Sequence, residues 1–208
     1  MYVKDTVVVN SGGTDMSVKW SLKLKPTMAR RDLYGWLLAV DSGGLQDGYR
    51  KLGTYPALYP PICVVAMPNT GTVKTGTAQI FSTGFVDDHG CGDLSKCYLQ
   101  LSVTSSQANA VLLMYDAVAN KVYLKNDANS SWGTGYTPGA AATLQNSQCI
   151  VDVRNTQVYN SGKTWIVIDW SVSLKAGQAG KKLVERMYAL DKHSLNSGWQ
   201  VMGMVLAN

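Results

Sequence analysis

Glutamate is almost missing from this chain. Glu185 is the sole example among 208 residues, and all charged residues together make up 16%, against roughly 25% in an average soluble domain. Paired-glutamate hydrolase chemistry is thereby excluded, and long helices rich in Ala, Leu, Glu and Lys are not expected. Histidine occurs twice, as His89 and His193, which limits any Ser-His-Asp site to one of those two rings. No apolar run approaches the roughly 18 residues that cross a membrane as a helix, so membrane insertion is not expected. Met1-Tyr2-Val3-Lys4-Asp5 lacks an apolar stretch with a cleavage site, so a cleaved export signal is not expected there. No nucleophile elbow, phosphate loop, zinc-protease helix or dinucleotide fingerprint is present. The net charge is +5, and its lysines and arginines are scattered rather than gathered into the stripe that phosphate neutralisation needs. Nucleic acid is therefore not an expected partner.

What the chain does have is apolar content, 46%, and 20 glycines. It also repeats itself. Shifted by 150 residues without gaps, residues 3–57 fall on 153–207 with 19 identities in 55 positions, several times what chance supplies. Val8-Val9-Asn10-Ser11-Gly12 lies on Val158-Tyr159-Asn160-Ser161-Gly162, and Trp20-Ser21-Leu22-Lys23-Leu24-Lys25 on Trp170-Ser171-Val172-Ser173-Leu174-Lys175. Self-similarity at a fixed period is the mark of a repeat architecture. If 58–150 is the first half of a unit and 151–208 its second, the chain reads second half, first half, second half. The expected organisation is an N-terminal half-unit over 1–57, a linker over 58–69 and a complete unit over 70–208.

Strand periodicity dominates both copies. Ile166, Ile168, Trp170, Val172 and Leu174 alternate with more polar neighbours, as do Met16, Val18, Trp20, Leu22 and Leu24; period two marks half-buried strands. Further strands are expected at 33–40, 183–190, 78–85, 97–103, 111–115 and 122–124, with a hairpin turn at 119–121. Short helical turns are expected at 27–32 and 176–182. Turn residues at intervals of about eight to twelve favour an all-β, immunoglobulin-like antiparallel β-sandwich over a parallel sheet with helices. On this pattern Trp20 and Trp170 are equivalent core residues.

Four cysteines allow three pairings. A Cys91–Cys97 loop bridge with a Cys63–Cys149 bridge is the preferred reading and suits an oxidising compartment. Zinc on Cys91, Cys97 and His89 is disfavoured by ligand spacing. The Gly-rich turn Asp87-Asp88-His89-Gly90-Cys91-Gly92-Asp93 offers Asp87, Asp88 and Asp93 as oxygen ligands for calcium. The competing reading is that these aspartates cap turns by accepting backbone N–H bonds. His193 reads as a surface-loop residue, because the sister copy has Gly43 in its place. Exposed aromatic rings with nearby amides would bind glycans, and Trp132, Tyr136 and Trp165 are the candidates.

The stretches Val86-Asp87-Asp88-His89-Gly90-Cys91-Gly92-Asp93-Leu94, Tyr115-Asp116, Val122-Tyr123-Leu124-Lys125-Asn126-Asp127, Trp132-Gly133, Thr137-Pro138-Gly139, Leu144-Gln145-Asn146-Ser147-Gln148-Cys149 and Leu195-Asn196-Ser197-Gly198-Trp199 form a set. Together they resemble repeat units of large multi-domain bacterial extracellular proteins, in which such units alternate with immunoglobulin-like modules. The resemblance spans about residues 70–208, with the matching half at 3–57. It implies a secreted or cell-surface location and a repeated architecture more than an activity. The family pattern places a cysteine just before the Tyr-Asp pair, where this chain has Val111-Leu112-Leu113-Met114. Cys149 must therefore find another partner. The functional expectation is a non-enzymatic structural or adhesive protein forming a homo-oligomer or polymer, with residues 1–25 and 156–175 at the contacts. The alternative is a carbohydrate-binding module. No cofactor is expected apart from the calcium candidate.

Overall fold

The computed structural model describes residues 7–10, 16–20, 32–55, 58–161 and 164–208. It divides into an N-terminal unit, Met1–Leu58, and a C-terminal unit, Tyr59–Asn208. The described residues contain strands and short 3-10 turns and no α-helix, as a chain poor in helix formers should.

In the C-terminal unit the strands are β5 (Ile62–Met67), β6 (Thr72–Val73), β7 (Ala78–Val86), β8 (Leu94–Ser102), β9 (Val111–Asp116), β10 (Lys121–Leu124), β11 (Thr143–Gln145), β12 (Cys149–Asp152), β13 (Gln157–Ser161), β14 (Trp165–Leu174), β15 (Lys182–Asp191) and β16 (Gln200–Ala207). They follow β1 (Val7–Asn10), β2 (Met16–Lys19), β3 (Leu33–Leu37) and β4 (Arg50–Tyr55) of the N-terminal unit. One six-stranded sheet has the order β10-β9-β8-β15-β16-β6; the other runs β11-β12-β14-β7-β5, with β13 also on β14. All pairs are antiparallel except β16 with β6, which is parallel. Residues 58–69, expected as a linker, instead supply β5, which pairs with β7. The expected helical turn near 176 is a 3-10 turn at Ala176–Gln178; residues 27–31 lie outside the described residues.

The two sheets share one core. Phe81, Phe85, Ile168 and Trp170 come from one, and Leu99, Leu101, Leu113, Leu183, Met187 and Val205 from the other. Along β14 the alternation read from the sequence appears directly. Ile166, Ile168, Trp170, Val172 and Leu174 are buried, while Trp165, Val167, Asp169 and Ser173 are partly or fully exposed. Trp170 lies opposite Phe81 of β7, and its indole N–H donates to the Thr83 hydroxyl at 2.8 Å. A buried indole N–H needs such a partner.

Strand pairing corresponds at the 150-residue offset. Val8 pairs with Val18 and Asn10 with Met16, where Val158 pairs with Ile168 and Asn160 with Ile166. Leu33 pairs with Tyr55 and Gly35 with Gly53, where Leu183 pairs with Val205 and Glu185 with Gly203. The register slips between Gly35 and Trp36, and between Glu185 and Arg186. Both copies thus share registers and bulge at the 150-residue offset. Burial does not follow. Trp20 is 58% exposed and Met16 68%, whereas Trp170 is fully buried. The expectation of an equivalent buried Trp20 is corrected; Leu22 and Leu24 lie outside the described residues. The reason lies in the neighbours. β14 is flanked by β13, β12 and β7, but among the described residues β2 pairs with β1 alone and β3 with β4 alone. Two-stranded ribbons have no opposing layer to cover an indole.

The expected disulfides are also corrected. All four cysteines are free thiols. Cys97 lies within β8 and points into the core, while Cys91 belongs to the 3-10 turn Cys91–Asp93 ahead of that strand. Cys63 on β5 approaches the Ser197 hydroxyl, and Cys149 at the start of β12 approaches Asn146. Strand placement, rather than loop proximity, sets where the sulfurs point. Burial pushes the Cys63 thiol up to about 11, Cys149 to about 12, and Cys97 well above its ordinary value.

Candidate functional site

Two turns at one end of the C-terminal unit bring its chemistry together. The first leaves β7 at Val86, carries Asp87 through the 3-10 turn ending at Asp93, and enters β8 in the other sheet. The second leaves β15 at Asp191 and runs through His193. A ladder contact joins them, because Asp191 lies opposite Leu94. The Ser95 hydroxyl donates to the carbonyls of Leu190 and Asp191, and the Lys192 N–H donates to the Asp93 carbonyl at 2.8 Å.

Each turn has the sequence Asp-x-His and the same internal bond. Asp87 Oδ1 accepts the His89 backbone N–H at 2.8 Å, and Asp191 Oδ1 accepts the His193 N–H at 2.8 Å. This is the aspartate side chain closing its own turn two residues on. The second carboxylate oxygens differ. Asp87 Oδ2 and Asp191 Oδ2 are buried and have no hydrogen-bond partner in the protein, on residues 1% and 2% exposed. Asp93 sits between the turns, its Oδ2 at 2.9 Å from His193 Nδ1. His89 Nδ1 lies 3.5 Å from Asp87 Oδ1, and the two imidazole centroids are 6.4 Å apart. Tyr59 also stacks with His89. Burial raises the pKa of Asp87, opposed by the His89 N–H and reinforced by the negative charges of Asp93 and Asp191.

Of the three aspartates read as calcium ligands, Asp87 and Asp93 meet in this cluster. Asp88 is exposed and belongs to neither group of converging ligands. Sequence reasoning missed Asp191 and His193, which lie about a hundred positions away from Asp87 and His89. One signal was available: the chain's two histidines each follow an aspartate by two residues.

The glycan candidates are not brought together. Tyr136 packs against the core and bridges Val122. Trp165 lies opposite Val86 in the β7–β14 ladder. Trp132 instead joins a group on the other sheet that the sequence did not single out. Tyr98 pairs across the ladder with Tyr188, their rings 5.4 Å apart. Trp132 lies 6.0 Å and Trp199 6.1 Å from Tyr98. Lys125 Nζ sits 4.6 Å over the Trp132 ring. Burial, with Tyr188 alongside, pushes the Tyr98 phenol up to about 12.

No family model, curated protein or solved structure matches this chain. Among the described residues, no helix is long and apolar enough to cross a membrane.

Proposed function

We propose that this protein is a non-enzymatic, secreted or cell-surface structural or adhesive protein, built from immunoglobulin-like β-sandwich units and assembling through strand edges. One observation carries the reading. The N-terminal ribbons repeat the registers of β13–β14 and β15–β16, yet Met16, Trp20, Trp36 and Leu37 are exposed. Strands with the sequence of interior strands but open edges and bare apolar side chains favour pairing with another polypeptide. Head-to-tail contacts of this kind produce open filaments when the rotation does not close. The likeness to repeat units of bacterial extracellular proteins supports the same reading.

Sedimentation velocity and electron microscopy of the full chain test it, with residues 59–208 as the comparison. Concentration-dependent polymers of the full chain, and monomers of the shorter one, are expected. A full chain that remains monomeric at high concentration refutes assembly.

A second reading, glycan binding, is favoured by the Tyr98–Tyr188–Trp199–Trp132 group. Sugar-binding surfaces commonly present aromatic faces beside polar groups, and Trp199 is 39% exposed. A glycan array with the wild-type chain and Trp199→Ala decides it. Binding lost in the variant supports this reading, and an array without signal removes it.

A further inference from the structure

We propose that Asp87, His89, Asp93, Asp191 and His193 form a binding site for a divalent transition-metal ion of the zinc class. Two triples of potential ligands converge, Asp87–His89–Asp93 and Asp93–Asp191–His193, each with its donor atoms within 4.8 Å of one another. Asp93 is common to both. A cluster of acids alone would be ordinary surface chemistry. Here two of the three aspartates are almost completely buried, and each keeps one oxygen with no partner. Leaving a buried carboxylate oxygen unpaired is costly, and the nearby carboxylate of Asp93 adds like-charge repulsion to these two. A cation at Asp93 answers both penalties at once.

The His193 ring is not needed to build its turn. In the N-terminal copy Asp41 Oδ1 accepts the N–H groups of Gly43 at 2.8 Å and Leu45 at 2.9 Å. Asp191 Oδ1 makes the corresponding bonds to His193 and Leu195 at 2.8 Å. Glycine therefore serves at the turn position that His193 occupies. The ring is an addition to the motif, and it lies against a carboxylate. The same turn bonds hold each Oδ1 in place and leave Oδ2 as the free donor, a supporting contact of the kind that orients ligands in metal sites.

The donor set selects the metal. Calcium takes six to eight oxygen ligands and has no use for imidazole nitrogen. Zinc and its neighbours accept histidine nitrogen and aspartate oxygen at about 2.0–2.2 Å in four-coordinate sites. The cluster offers two imidazoles and three carboxylates, so the calcium expectation gives way to a mixed nitrogen–oxygen site.

The test uses the full chain, stripped with a chelator and titrated with Zn2+ by calorimetry, with Co2+ absorption as a spectroscopic readout. Saturable binding is expected, together with visible absorption typical of low-coordinate Co2+. His89→Ala and His193→Ala should each weaken zinc binding at least tenfold, with thermal unfolding showing that both variants remain folded. His193→Asn provides a second variant that keeps a polar side chain in the turn. Asp88→Asn should bind as wild type does. Absence of zinc binding, histidine variants that bind equally well, or displacement of zinc by equimolar Ca2+ would each overturn the assignment.

Discussion

Glu185 provides a direct test of the core. It lies on β15 between Leu183 and Met187 on the inward face, opposite Leu101 of β8 and Gly203 of β16. Its side chain is fully buried, and neither carboxylate oxygen has a hydrogen-bond partner in the protein. Burial alone pushes its pKa up from 4.5 to about 7. The folded state therefore holds a proton that the unfolded state releases, and stability must fall as pH rises between those two values. Below 4.5 both states are protonated and no penalty applies. Above about 7 the penalty is complete. At about 1.4 kcal/mol for each tenfold change in proton affinity, it reaches about 3 kcal/mol. Glu185→Gln removes the ionisation while keeping the shape and one polar head. Urea unfolding of both proteins should give equal stabilities near pH 4 and a variant more stable by about 3 kcal/mol at pH 8. Taking the difference between the two proteins cancels every other titrating group. Parallel stability curves from pH 4 to pH 8 would refute the argument, since they would mean that water or a cation satisfies the carboxylate.

Three further outcomes follow from the packing. Trp170→Ala should destabilise the C-terminal unit by about 3–5 kcal/mol, while Trp20→Ala should change the stability of the isolated chain by about 0.5 kcal/mol or less; chemical denaturation of both checks this. Gly203→Ala drives a methyl group into the Asn69 carbonyl oxygen, with backbone rather than a pliable side chain in the way. It should cost about 1–3 kcal/mol, whereas Gly53→Ala, with nothing near its added carbon, should be far milder in thermal melts. Non-reducing mass spectrometry should find four unbridged thiols, and brief alkylation of the folded chain should label Cys91 first. A pair of cysteines already oxidised in freshly purified protein would contradict this placement.

Much of the fold was legible in the residue pattern. Period-two alternation located β14 and β7 to within a residue or so. The 150-residue offset anticipated the shared registers, because hairpin pairing depends on local turn chemistry such as the aspartate turn at Asp41 and Asp191. Side-chain destinations were less legible. The cysteine bridges failed because spacing along the chain does not say which face of a strand a sulfur occupies. The two Asp-x-His turns are separated by about a hundred residues, and no local rule joins them; the β8–β15 ladder does so by setting Asp191 opposite Leu94.

Trp20 and Trp170 draw the boundary most clearly. Both open a Trp-Ser sequence at the 150-residue offset, and the sequence by itself determined that each continues the period-two run of apolar residues before it; Trp170 lies within β14, whereas Trp20 directly follows β2. Which indole is buried was decided by tertiary structure. Trp170 has β7 alongside, with Phe81 opposite and Thr83 accepting its N–H, and a second sheet closes the core above it. Trp20 follows β2, which has β1 as its single partner strand among the described residues. Burial is a property of what surrounds a side chain, and two similar segments acquire different surroundings when only one of them receives its neighbouring strands.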